Sequence, residues 1–199
     1  MKRVAFAAAL AAAAVAAAPA GARHATQAPG TWCGGTLWKL MTLSDSSKGA
    51  VSWTPVPTGI ADIAKLTAPT RILASRNNTF EKKTWQVTAV VERYRIQSNG
   101  EIVLEMNDVH TSSYMNAYMP NPRCLSKNTR GRADILAART AFTKACGAPA
   151  ASWQTLGATV AVTGVGFWNP VKTTLGALGN GAELRPVTGF KVLQGCGKF

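Results

Sequence analysis

TWQVTAVVERYRIQSNGEIVLEM, residues 84–106, is the stretch on which the fold turns. Trp85 to Ile96 is dense in β-branched and aromatic residues and reads as one long strand. Its inward set shifts from Val87 and Ala89 to Val90 and Tyr94, which predicts a bulge that bends the strand. Asn99-Gly100 is the strongest hairpin signal in the chain. Glu101 to Met106 then returns with Ile102, Leu104 and Met106 on one face.

Downstream, Ser112 to Met119 alternates Met115, Ala117 and Met119 against Tyr114, Asn116 and Tyr118, and Pro120 and Pro122 end the strand. Thr129 to Cys146 follows as a helix with Ile135, Ala138, Phe142 and Ala145 along one stripe, stopped by Gly147 and Pro149. Two strands close the chain, Ala158 to Trp168 and Glu183 to Leu193, separated by a glycine-rich connection with an Asn180-Gly181 turn. The order β-β-β-α-β-β predicts a mainly β domain, an OB-fold-like five-stranded barrel. An α+β sandwich of the same elements is the alternative.

Upstream, Trp32 to Leu43 carries Cys33 and Trp38, and Asp45 to Gly49 reads as a turn. Val51 to Asn78 holds Pro55, Pro57 and Pro69, with one short helix expected at Ile60 to Leu66. The expected division is a leader over residues 1–22, an N-terminal extension packed on the barrel over 23–83, and the barrel over 84–199.

The leader sets the expected compartment. Lys2 and Arg3 precede an apolar run from Val4 to Ala18, and Pro19-Ala20-Gly21-Ala22 supplies small residues for cleavage after Ala22. The run is about 15 residues, short of the roughly 20 that span a bilayer. A secreted, periplasmic or cell-envelope protein is expected, with no integral membrane association. Four cysteines, Cys33, Cys124, Cys146 and Cys196, form no C-x-x-C pair, which points to two structural disulfides. Taken alone, they leave three pairings open.

The net charge of +13, or +11 once Lys2 and Arg3 leave with the leader, favours polyanions: nucleic acid, anionic glycans, acidic surfaces or acidic proteins. It does not choose among them. On the third strand Tyr114, Asn116 and Tyr118 share a face, Arg93 and Arg95 lie on the first strand, and Lys172 and Arg185 flank the last connection. Tyrosines beside arginines are what sequence-tolerant binding of single-stranded nucleic acid uses, and these seven residues are the expected ligand-binding set. In the competing arrangement the tyrosines pack beneath the N-terminal extension.

The chain also resembles a family of exported bacterial proteins with no established activity. The likeness is carried by Cys33-Gly34, Trp38-Lys39, Thr42-Leu43 and Pro55-x-Pro57-Thr58, and by Met115-x-Ala117-x-x-Pro120-x-Pro122-x-Cys124. Val162 to Phe167 and Asn180-Gly181-x-Glu183-Leu184-x-Pro186-Val187 extend it. The resemblance implies a barrel reminiscent of staphylococcal-type nucleases, and it implies the pairings Cys33–Cys124 and Cys146–Cys196. A helix from Thr129 to Cys146, about 25 Å long, agrees by keeping Cys124 from Cys146. Where the family carries three histidines this chain has Val103, Lys172 and Arg185, so any proton transfer or metal ligation by those histidines is lost here.

No phosphate-loop, zincin or nucleophile-elbow motif is present. Gly164 and Gly166 read as a bulge or a close backbone approach, and Asp108, His110 and Ser112 as turn chemistry. Glu101, Glu105 and Asp108 are the one acidic cluster that a metal-dependent nuclease-like phosphodiesterase could use. Their bland reading is the solvent side of a half-exposed strand. The expectation is therefore a non-catalytic, monomeric binding domain without cofactor or metal, whose partner is an anionic polymer or single-stranded nucleic acid. A nuclease-like enzyme and a structural protein of the envelope are the alternatives.

Overall fold

The computed structural model describes residues 33–35 and 37–196. The leader and its cleavage site lie outside the described residues. The fold is mainly β: one six-stranded sheet with strands β1 (Ser52–Thr58), β2 (Lys83–Ile96), β3 (Ile102–Asp108), β4 (Ser113–Met119), β5 (Gln154–Trp168) and β6 (Ala182–Gln194). Helices α1 (Trp38–Met41) and α2 (Ile60–Ala64) flank β1, and α3 (Arg132–Cys146) lies between β4 and β5.

Strand order is β1-β2-β3-β4-β6-β5, and β2 pairs with β5 as well, so the pairings from β2 to β5 return to their start. The long strand β2 makes this possible. Its register shifts between Val91 and Arg93 against both β3 and β5, and burial changes parity there, from Val87, Ala89 and Val91 to Tyr94. This is the expected bulge, with Val91 inward where the pattern favoured Val90. β5 carries register shifts around Gly164, and a Cβ on Gly166 would collide with the Phe80 carbonyl, as a glycine at a close backbone approach requires.

β1 has no counterpart in the sequence-based expectation. Pro55 and Pro57 lack N–H donors and read as strand breakers, yet β1 is an edge strand paired in parallel with the first half of β2, where missing donors are tolerated. Residues 37–83 thus join the sheet through β1, and they enter the main core through Ile60, Ile63 and Phe80. A second cluster joins Leu43 and Val51 to Leu125, Ile135 and Val165.

Ile102, Leu104 and Met106 of β3 and Met115, Ala117 and Met119 of β4 all face the core. α3 closes one end, with Phe142 edge-on to Tyr94 and Phe190 at centroid distances of 5.1 and 5.4 Å. Both disulfides form as the resemblance implied: Cys33–Cys124 and Cys146–Cys196, with Cα separations of 5.2 and 4.5 Å. Such bridges belong to an oxidising compartment.

Candidate functional site

The face of β3 and β4 opposite the core gathers most of the expected binding residues. Register pairs Val103 with Tyr118, Glu105 with Asn116 and Asn107 with Tyr114, while Arg93 and Arg95 of β2 pair with Glu105 and Val103. The parallel contact of Ala117 with Leu184 brings β6 alongside and sets the Arg185 guanidinium 4.3 Å from the Tyr118 ring centroid. Six of the seven expected residues are therefore joined on one polar surface. Lys172 stands on the connection between β5 and β6 and is exposed.

The part of that surface around Asn116, Tyr118 and Arg185 is closed. The β5–β6 connection crosses it, and Asn116 Nδ2 donates to the Leu175 carbonyl at 3.0 Å. Gly176 sits so close to Glu105 and Asn116 that a Cβ would fall 2.6 Å from Glu105 Cγ, and its φ of +78° suits glycine. Asn180 Nδ2 anchors the connection by donating to the carbonyls of Ile63, Ala64 and Leu66. Asn116, Tyr118 and Arg185 are 1%, 2% and 6% exposed in consequence. The cover anticipated for the tyrosines was the N-terminal extension; the observed cover is the β5–β6 connection, with α2 as its anchor. Tyr114, at the open end, is half-buried and donates its hydroxyl to the Glu92 carboxylate at 3.2 Å. Burial and then that carboxylate raise its phenol above the ordinary range.

Glu101 and Glu105 are not the solvent side of a strand. They are 0% and 1% exposed: Gly176 of the connection lies against Glu105, and Asn99 and Arg185 engage Glu101. Each is neutralised by an arginine. Arg185 pairs with Glu101, and Arg93 holds Glu105 through Nε at 2.6 Å and a second nitrogen at 3.2 Å. That hydrogen bond raises the Arg93 pKa. Asp108, the third acid, accepts from the His110 backbone amide in a turn, as anticipated. Among the described residues no three His, Cys, Asp or Glu side chains group as a metal would require.

Glu183 completes the network at 3.7 Å from Arg185, but Arg185 lies nearer Glu101. Burial pushes the Glu183 carboxyl up to about 8, an effect that Arg185 offsets only in part. The folded chain thus holds a proton on Glu183 that the unfolded chain releases near the ordinary carboxylate pKa. Stability from this group is complete below that ordinary value and is lost as pH rises toward 8. Thermal midpoints should fall between pH 5 and pH 8.5, and the fall should be smaller in Glu183→Gln. Equal falls in both proteins would contradict the assignment.

A second buried pair lies within the N-terminal segment, residues 37–83. Arg76 donates to the carbonyls of Leu40 and Glu81 and lies 3.3 Å from Asp45. Burial lowers the Arg76 pKa and raises that of Glu81. Across the chain, five of the nine acidic residues are buried: Asp45, Glu81, Glu101, Glu105 and Glu183. Among the described cations only Arg76 and Arg185 are buried. Sequence reading missed this sorting of charge. A signal for it exists, since Val103 between Glu101 and Glu105 puts an apolar residue on a face that solvent would not favour.

No protein-family model matches this chain, and no curated protein matches it in sequence.

Proposed function

We propose that the chain is an exported, non-catalytic OB-type domain that binds an anionic polymer across its outer surface. The OB reading is supported by the strand order, in which three antiparallel strands, a helix and two further strands pair in a cycle. Export rests on the leader pattern together with the two disulfides. The resemblance to exported barrel proteins points the same way.

One observation carries the binding reading: most of the carboxylates are withdrawn into the interior while most of the cations stay outside. Without Lys2 and Arg3 of the leader the exported chain carries +11, and a surface so sorted is more positive than that figure conveys and attracts polyanions over long range. The nuclease-like alternative lacks this support, because Glu101 and Glu105 are held by Arg185 and Arg93 beneath a covering loop. The envelope alternative shares the same surface chemistry and differs in where the partner resides.

Fluorescence anisotropy with a labelled polyphosphate, a sulfated glycan and a single-stranded oligonucleotide tests the reading. All three should bind at low ionic strength and release as salt is added. Absence of binding to every one of them at low salt would refute it.

A further inference from the structure

The polar face of β3 and β4 is closed except at its Tyr114 end, and a larger aromatic surface lies elsewhere. A cleft of about 280 Å³ opens between the loop that follows α2 and the start of β2. Its aromatic walls are Phe80, Trp85 and Trp168. Phe80 lies 5.7 Å from Trp85 and 4.8 Å from Trp168, ring to ring. Phe80 and Trp168 are buried and Trp85 is half-buried, so the Trp85 ring is the one that a ligand can meet.

The hydrogen-bonding groups of these walls are already engaged. Trp85 Nε1 donates to the Phe80 carbonyl and Trp168 Nε1 to Asn78 Oδ1. Asn78 Nδ2 donates to Glu81, and Asn78 Oδ1 also accepts from the Glu81 amide. The hydroxyls of Thr67 and Thr79, both exposed, remain at the rim. A sugar would need in-plane polar partners that this cleft lacks, whereas a nucleobase can stack through its π-face alone. The volume lies below that of a site for a drug-sized ligand and suits a single ring.

Charge around the cleft fits the same ligand. Lys82 and Lys83 stand three and two residues before Trp85, and Lys83 Nζ lies 5.5 Å from its ring centroid. Arg71 is exposed in the loop that supplies Thr67 and Pro69. None of the four carboxylates that reach solvent, Asp62, Glu92, Asp108 and Asp134, lines it. From the aromatic wall, the engaged polar groups and the flanking cations, we infer that this cleft is a base-stacking subsite for single-stranded nucleic acid. A base lies against Trp85, and Lys82 and Lys83 meet the adjoining phosphates. This inference rests on the polyanion reading and names the polymer.

The test compares a labelled oligothymidylate with an abasic chain of equal phosphate count, binding residues 23–199 at low salt. Oligothymidylate should bind more tightly, by the roughly 5- to 150-fold that one stacked base confers. In Trp85→Ala the two chains should bind with equal affinity. Thr79→Met, which fills the mouth from an exposed position without adding an aromatic face, should do the same and keeps the test open should Trp85→Ala fail to fold.

Equal affinity for the two chains, or retention of the difference in both variants, would overturn the subsite while leaving the polyanion reading intact. Failure of the abasic chain to bind would end that reading itself. A base contribution that emerges only after removal of residues 23–32, or only on dissociation of a dimer, would make the chain its own occupant and overturn the proposal.

Discussion

Arg185→Ala lowers the stability of the domain by about 3–5 kcal/mol, the usual cost of breaking a buried pair by removing one partner. The guanidinium is 8% exposed, and it faces Glu101 at 0% and Glu183 at 5%. It also stacks on Tyr118, so its loss removes packing as well as charge. Glu101 then remains buried without its ion-pair partner, beside Glu183. For a domain of this size the thermal midpoint falls by roughly 6–20 °C.

The loss depends on pH with a definite sign. Arg185 is what partly offsets the burial of Glu183, so without it that carboxyl holds its proton more tightly and the variant recovers part of its deficit as pH falls from 8 to 5. Replacing the trio by apolar residues of similar volume should cost far less than the single change. Melting curves of Arg185→Ala at pH 5 and pH 8 check this. A deficit under about 1 kcal/mol, well below the cost of breaking a buried pair, at both pH values would show that the network does not bear on stability.

Removing the Cys146–Cys196 bridge by paired serine substitution has an effect of similar size. Fifty residues separate the two cysteines, and closing such a loop restricts the unfolded chain by about 4 kcal/mol on the chain-entropy account. The bridge fastens the end of α3 to the chain just beyond β6, where Phe142 already packs on Phe190. The longer Cys33–Cys124 span, with a separation of 91 residues, gains slightly more on the same reasoning. Guanidinium midpoints of the two paired variants should each drop markedly, with the slope rising if the unfolded state expands. A midpoint unchanged by loss of either bridge would contradict the role assigned to it.

Much of the fold was legible because its signals are local. The parity change along β2, the Asn99-Gly100 turn and the alternation in β4 each follow from neighbouring residues, and all are present. α3 begins at Arg132, a little inside its expected start, and still ends at Cys146 before Gly147. What escaped is set by distant contacts. β1 exists because β2 offers an edge to a proline-containing segment, a fact that no local pattern in residues 52–58 announces.

The candidate site divides along the same line. Alternation placed Tyr114, Asn116 and Tyr118 together, and register joined them to Arg93, Arg95 and Arg185. Whether such a face meets water depends on the β5–β6 connection, whose course is set by Gly176 and by the anchoring of Asn180 on α2. Glu101 and Glu105 therefore read as solvent-facing when they are neutralised and buried. Their withdrawal leaves the exterior cations largely unopposed, and the proposed function rests on that physical fact.

The salt dependence of polyanion binding tests that claim most directly. Affinity for a single-stranded oligonucleotide, measured from low to physiological ionic strength, should fall linearly on logarithmic axes. The slope should be near −0.7 for each phosphate that the surface neutralises, and several phosphates should be involved. Undetectable binding at low salt, or an affinity indifferent to salt, would contradict the account.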